Sequence, residues 1–323
     1  MKKVVHLIHP CMFNHRLSWT TVFGDLILIF MLFVLASCQS RGKSVRLAFL
    51  GDIMPGREFT LTDSSLEYLE GSLQSADLAM ANLESPLTTS VPSSADGYKL
   101  CASPENAWKL AQSGLDMLSV VNNHSLDCGN QGYKDTISTL QSSGLVAIDK
   151  SGYTTSIHNL KFTFFAFEDI SKPLDMVSAT RSIQGARSTG AIVIVSIHWG
   201  MEYQGGASQR QQELAKQLAK AGATLIWGHH PHVLQPAEWI PPECSDLQDK
   251  TGCSLVLYSL GNAFFDQAGL PDTRRSALVS VVFGKKGILS TEVTPFVIDP
   301  IHRLVKTPGK SELSLILSRI KLP

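Results

Sequence analysis

Apolar and polar residues fall in blocks along most of this chain. Apolar runs of four to seven residues occur at 45–50, 77–81, 117–121, 145–148, 161–167, 191–197, 223–227 and 254–260. They are too short for ordinary helices and rich in β-branched and aromatic residues, as buried strands are. Residues 279–283 and 289–298 are also strand-like. Between these runs lie segments with helical spacing, at 66–73, 130–143, 208–221 and 311–321. Ser103-Pro104-Glu105 reads as a helix start, with serine as cap, proline at the first position and an acid in the first turn; Gly114 stops it. In 208–221, Leu214, Leu218 and Ala221 form one stripe, and Gly222 is the stop. Residues 85–99 read as a loop rich in Ser, Pro and Thr, and the polar stretch 170–190 as a connection. Strands alternating with helices predict an α/β core, and there is no internal repeat.

In such cores ligands bind at the carboxyl ends of strands. Asp52, Glu84, Asn123, His124, His198, His230 and His232 all stand directly after a predicted strand. Seven histidines follow residue 38, and five of them (His124, His198, His229, His230, His232) occupy these ends, which scatter over surface loops would not produce. The densest stretch is Trp227-Gly228-His229-His230-Pro231-His232. Side chains two apart on an extended segment point the same way, so His230 and His232 aim at one point or at two neighbouring points. A polar turn in which histidines cap a strand end is the bland alternative.

Imidazole and oxygen ligands without thiolate suit divalent manganese, iron or zinc. Two such ions about 3.5–4 Å apart activate water and clamp a tetrahedral transition state. A carboxylate must bridge them, and Glu84 is the candidate. Asp52, Asn123, His198, His230 and His232 complete the expected ligand set. His124, beside Asn123, is free to protonate a leaving group. Arg57 is expected to grip an anionic substrate, with a solvated surface charge as the alternative. His229 is expected to face substrate. Asp127 either orients His124 or caps the helix at Asn130, and the cap is favoured.

Over 323 residues the formal net charge is zero, with no basic block, which argues against nucleic acid as a partner. Lys2, Lys3 and Arg16 precede an apolar run at 26–36, short for a bilayer span and right for a signal-peptide core. It ends in Leu35-Ala36-Ser37-Cys38, which resembles a bacterial lipobox with Cys38 as the lipidated residue; an uncleaved signal anchor is the alternative. Translation from Met12 would shorten the leader. The expected organisation is a leader at 1–37, a tether at 38–44, a main domain at 45–300 and an extension with a short helix at 301–323. The body of the protein is then expected outside the cytoplasm, tethered to a membrane, where disulfides form. Of Cys101, Cys128, Cys244 and Cys253, the last two flank a turn-rich segment and are the favoured pair.

Gly51-Asp52, Asn82-Leu83-Glu84, Asn122-Asn123-His124, His198-Trp199-Gly200, Gly228-His229-His230-Pro231-His232 and Tyr258-Ser259-Leu260-Gly261-Asn262, in this order, resemble the CapA family of poly-γ-glutamate capsule biosynthesis proteins, within the calcineurin-like metallophosphoesterase superfamily. The resemblance runs from Val45 to Asp266. It implies a four-layer αββα sandwich, two mixed β-sheets flanked by helices. It also implies a two-metal centre in which Asp52 matches the first aspartate and Glu84 stands at the bridge. Asn123 and His124 match a ligand and an acid, and His198, His230 and His232 match the later histidines. An anionic polymer or phosphoester substrate, capsule synthesis or export partners and a cell-envelope location follow as expectations. Gln39 resembles a signal for the outer membrane of Gram-negative bacteria. Two departures stand out. Ile53-Met54 replaces the superfamily's usual x-His after the first aspartate, and Glu replaces Asp at the bridge.

Overall fold

The computed structural model describes residues 44–57, 61–90, 100–267 and 269–322; the expected leader and Cys38 lie outside them. The strands enter in three groups. β1 (Val45–Ile53), β2 (Leu78–Leu83), β3 (Met117–Ser119) and β4 (Val146–Ile148) begin one sheet. β5 (Tyr153–Ile157), β6 (Leu160–Glu168), β7 (Ile192–His198), β8 (Leu225–His229), β9 (Leu234–Ile240) and β10 (Ser254–Leu260) form a second. β11 (Asn262–Phe264), β12 (Arg275–Gly284), β13 (Gly287–Ile298) and β14 (Val305–Lys306) return to the first. The sheet orders are β14-β13-β12-β1-β2-β3-β4, with β11 on β1, and β5-β6-β7-β8-β10-β9. β1 to β4 run parallel to one another, as do β6, β7, β8 and β10; β11 is parallel to β1, and β5, β9, β12, β13 and β14 pair antiparallel to their neighbours.

Period-two alternation explains why most of the parallel strands read as continuous apolar runs. Val45, Leu47 and Phe49 of β1 meet Phe162 and Phe164 of β6, Ile192 and Ile194 of β7, and Leu225 and Trp227 of β8 in one cluster between the sheets. The alternate residues face outward. Ala48 and Leu50 pack on helices α1 (Glu70–Gln74), α2 (Glu105–Gln112) and α3 (Gly129–Ser142) through Leu73, Ala107, Leu110 and Leu140. Val193, Val195 and Ile226 pack on α4 (Met176–Ser188) and α5 (Gln209–Ala221) through Ile183, Leu214 and Leu218. Three apolar layers thus separate four structural layers, helix, sheet, sheet, helix. The architecture is the four-layer sandwich that the family resemblance implies.

Local signals explain several boundaries. Ser208 caps α5 with a full capping box to Gln211, and Gly222 ends it at φ 114°. The structure corrects the connection expected at 170–190. It contains α4, whose N-terminal amides on Val177 and Ser178 are held by Asp175. Only Ala179 and Ile183 of α4 are buried, so its apolar stripe is too thin to announce a helix. β5 and β9 carry no clear signal either. β5 is mostly exposed and polar, and β9 carries Pro236. The last helix, α6 (Lys310–Ile320), places Ile316 and Ile320 in the inter-sheet cluster, and its Glu312 pairs with Arg275. All these clusters are built from Val45 onward, so a chain beginning at residue 39 contains the whole described core.

Trp227 is the keystone of the middle layer. It is buried, meets Phe49 edge-on at 5.5 Å and donates its indole N–H to the Leu50 carbonyl of the opposite sheet at 2.8 Å. Trp227→Ala removes this packing and leaves that carbonyl without its indole donor. The expected loss is about 3–5 kcal/mol of stability, read as a lower urea midpoint.

Candidate metal centre

The inner-face alternation that builds the core also delivers the polar residues. On β7 the sequence Ile192, Ile194, Ser196, His198 lies on one face, and on β8 so do Leu225, Trp227 and His229. Toward the carboxyl ends the layer turns from apolar to polar. Ser196 Oγ donates to Ser119 Oγ across the two sheets at 2.9 Å, and His198 and His229 come next. On β2, Met80 is followed by Asn82 and Glu84 at the same period. β1 reaches the same face through an irregularity, since its register with β2 shifts between Phe49 and Asp52, re-aiming Asp52 inward. Gly51 makes this possible: a Cβ there would lie 1.7 Å from the Gly261 carbonyl oxygen.

The histidine run converges differently from the sequence expectation. His230 and His232 have φ of 94° and 58°. They therefore reach one place through a left-handed turn, not through the alternation of an extended strand. Such values are rare outside glycine and are found where surrounding structure enforces them.

Asp52, Glu84 and His198 are fully buried, and His229, His230 and His232 nearly so. Asp52 accepts from Asn82 Nδ2 at 2.8 Å and from the His230 amide at 3.2 Å, and His229 Nδ1 and His232 Nδ1 each stand 3.4 Å from it. Glu84 Oε1 lies 3.4 Å from His198 Nε2, 3.7 Å from His232 Nε2 and 3.9 Å from His124 Nε2. His230 Nδ1 is 3.1 Å from His198 Nε2, and His232 Nδ1 is 3.0 Å from Asn262 Oδ1. Two nitrogens or oxygens that close need a proton between them or a shared cation.

Among the described residues, several of these atoms lack a hydrogen-bond partner. Both oxygens of Glu84, both ring nitrogens of His229 and Asn123 Oδ1 are buried without a hydrogen bond. A buried unsatisfied polar group costs roughly 1–3 kcal/mol, more if charged, so a site with several is built for something else to fill it. The chemistry of the donors fits divalent cations. Ligand atoms of Glu84, His198 and His230 lie within 4.8 Å of one another, as do those of Asp52, Glu84 and His232. Glu84 belongs to both groups, which is what a bridging carboxylate requires. A third group joins His230 and His232 to Glu202, an exposed residue in the loop after His198-Trp199-Gly200. The sequence carries no periodic signal that would have marked Glu202.

The remaining expected residues are placed as follows. His124 stands at the edge of the cluster, and its Nδ1 is 2.9 Å from Asp127 Oδ2. The helix cap favoured for Asp127 is therefore corrected. α3 starts after Cys128 with no side-chain cap, and the Asp127 carboxylate holds His124 instead. Asn123 lies beside His124, Nδ2 to Nε2 at 2.9 Å. Asn122, whose neighbour was the expected ligand, ties the loop down by donating to the Leu83 carbonyl at 2.8 Å. His229, expected to face substrate, is buried. Its side chain is sealed between Asp52 and the Trp227 ring, whose centroid is 4.3 Å away. It joins the ligand candidates because it ends β8 on the inner face. Arg57 pairs with Asp266 at 2.8 Å and lies over Phe265, whose ring touches His232 at a centroid distance of 4.7 Å. Met54, at the position where the superfamily has histidine, is buried and accepts from Ser85 Oγ at 2.7 Å.

The family model described as bacterial capsule synthesis protein PGA_cap matches residues 46–161 and 150–267. The chain belongs to this family. Every residue of the cluster lies inside the matched segments. The chain is 32% identical to the PGA biosynthesis protein CapA of Bacillus subtilis (strain 168), over 82% of this chain and 74% of that one. It is 27% identical to the capsule biosynthesis protein CapA of Bacillus anthracis, over 78% and 67%. Among solved structures, a hypothetical protein from Thermus thermophilus aligns with a TM-score of 0.48 at 16% identity, over 78% of this chain and 99% of that one.

Protonation in this PGA_cap site is set by burial and by crowding. Burial pushes the Glu84 carboxyl up to about 8. Burial would also raise Asp52, but the imidazoles of His229 and His232 beside it outweigh that and hold it well below the carboxylate range. Burial lowers His198 and takes His230 down to about 3, so both are neutral and ready to ligate. For His232 burial is opposed by Glu84 and Asp52, which bring it up to about 9. The coupled Glu84–His232 pair therefore keeps at least one proton at pH 7 that a cation must displace. Metal uptake is expected to release protons, with apparent affinity rising roughly tenfold per pH unit for each proton displaced and levelling off above about pH 9. Calorimetric titration in two buffers of different ionisation enthalpy measures the released protons. His230→Ala with His232→Ala is expected to abolish metal uptake, and His229→Ala to reduce it; full metal content in the double variant contradicts this ligand set.

Proposed function

We propose that this PGA_cap protein is a lipid-anchored, extracytoplasmic metallohydrolase acting in the biosynthesis, export or trimming of poly-γ-glutamate or a related anionic capsule polymer. The relatives named for capsule and PGA biosynthesis support the process. The observation that carries the chemistry is the His124–Asp127 pair set against Glu84. Two divalent cations held by Asp52, Glu84, Asn123, His198, His229, His230 and His232 would polarise the scissile group and activate water.

The protein's own residues supply the rest. Burial lowers the His124 pKa, but the hydrogen bond and charge of Asp127, joined by the charge of Glu84 once that carboxyl is ionised, outweigh it and raise it above the ordinary histidine value. Asp127 occupies Nδ1, so Nε2 is the nitrogen that faces the cluster. His124 is partly exposed, whereas the ligand candidates on the strands are sealed in, and it can exchange protons with solvent between turnovers. It is placed to protonate a departing alkoxide or amine. The substrate class is a phosphoester or a γ-glutamyl amide, since a two-metal centre suits both.

Two disulfides among the described residues, Cys101–Cys128 and Cys244–Cys253, support an oxidising compartment. No helix among the described residues is long and apolar enough to cross a membrane. The anchor proposed here is Cys38.

Met54 in place of the superfamily's histidine favours a second reading, in which the metal cluster persists but serves assembly or polymer binding without turnover. His124→Ala separates the two. It is expected to keep its fold and metal and to lose about 10²–10⁴ in turnover of an unactivated ester or amide. The loss should be smaller for a substrate with a good leaving group. Metal-loaded wild type inert toward both substrate classes, with normal polymer output from a His124→Ala strain, would decide for the assembly role.

A further inference from the structure

At the opposite ends of the strands lies a cavity of about 430 Å³. Arg187, Lys285 and Lys286 line it, and among the described residues no carboxylate does. It opens where β7, β8 and β10 begin and where the β12–β13 hairpin turns. β7 spans from Ile192, in the cavity wall, to His198 in the metal cluster. At about 3.3 Å per residue the two places are some 20 Å apart, so this cavity is no part of the site described above.

We propose that this cavity binds the phosphate of an anionic phospholipid headgroup. Its charge is not cancelled from within. Lys285 has no ion pair or hydrogen bond among the described residues. Arg187 commits one N–H to the Ala191 carbonyl at 3.2 Å, leaving the other donors of its fork for an oxyanion. Lys286 meets Asp249 at 3.5 Å with both side chains well exposed, and such pairs hold weakly. Asp249 is itself engaged by the amide and hydroxyl of Thr251. The adjacent Lys250 is committed elsewhere, to the Cys244 and Ser245 carbonyls and the face of Trp239.

Chain entry supplies the second observation. β1 begins at Val45, which is registered opposite Phe283, two residues before Lys285. Ser44 therefore leaves the fold at the pole that carries the cavity. The proposal rests on the tethering part of the reading above and not on hydrolysis. Six residues lie between Cys38 and Val45, so the reach over those seven Cα steps is at most about 25 Å. A lipid on Cys38 would bring this pole against the membrane, with the metal cluster turned away from it. Lysines and arginines near an anionic leaflet add attraction that falls off within a Debye length, so cations gathered at the tethered pole act where they count.

The experiment uses the chain from Gln39 to Pro323, which contains the described core and lacks the anchor. Co-sedimentation is measured with vesicles of phosphatidylglycerol and of phosphatidylcholine, without added metal. Wild type is expected on the anionic vesicles and not on the neutral ones, with inorganic phosphate competing. Lys285→Glu with Lys286→Glu, and separately Arg187→Glu, should each weaken binding by about tenfold or more with unchanged melting. Equal binding to neutral vesicles, or variants that bind as wild type does, overturns the proposal. Calorimetric binding of inorganic phosphate without vesicle binding overturns the headgroup and assigns the cavity to free phosphate. Binding of oligo-γ-glutamate, lost in the same variants and without vesicle binding, overturns it in favour of the polymer. None of these readouts depends on turnover. Retention of the full-length Cys38→Ser chain in membranes tests the anchor separately.

Discussion

Two carboxylates, Asp52 and Glu84, are buried without solvent between two β-sheets, and the arrangement around them follows from the cost of that burial. Asp52 is satisfied by protein, through Asn82, the His230 amide and two nearby imidazoles. Glu84 is not, since neither oxygen has a hydrogen bond. The asymmetry is chemically sensible. One carboxylate is held ionised by its surroundings. The other is kept protonated by burial until something more strongly charged than an imidazole replaces the proton. Three separate strand ends, a bulge at Gly51–Asp52 and a left-handed turn at His230 and His232 are all needed to bring donors to that one point.

The sandwich makes such a cluster tolerable. The polar groups sit at the carboxyl edge of the inter-sheet layer, and the apolar side chains beneath them hold the two sheets in register. The Trp227 indole bridges to Leu50 of the other sheet, and its ring seals His229. The core therefore determines the separation of candidate ligands that belong to different sheets. Asp52 and Glu84 come from one sheet, and His198, His229, His230 and His232 from the other. Neither sheet alone carries a complete set.

Much of this was legible in the sequence because parallel strands buried on both faces leave an unmistakable apolar run, and polar residues directly after such a run have few other reasons to be there. The places where the reading failed share a physical cause. Sequence spacing cannot tell which face a residue beside a loop presents: Asp127 turns to His124 instead of the helix amides, and His229 turns inward as the last residue of β8. Glu202 joins the cluster through tertiary proximity alone, whereas Asn82 reaches it on the inner-face period of β2. α4 was missed because a helix that buries only Ala179 and Ile183 has almost no amphipathic signal. β5 escaped because its polar, exposed residues show no apolar period, and β9 because of its proline.

The loop that carries His124 shows how an irregular connection can hold a candidate functional side chain in place. Ser125 Oγ donates to the Val120 carbonyl and accepts the Asn122 amide, both at 2.8 Å, closing the loop on itself. Asn122 ties it to β2 through the Leu83 carbonyl, next to Glu84. Cys128, directly after Asp127, is cross-linked to Cys101 across 27 residues of sequence. Asp127 is thus fixed by the covalent link at its own C-terminal side, and His124 by Asp127 on one ring nitrogen. The imidazole keeps its other nitrogen toward the carboxylate without taking a place among the buried ligands. His124 is not sealed as His198 and His229 are, and a loop staked at three points gives its ring a defined direction while leaving it partly exposed.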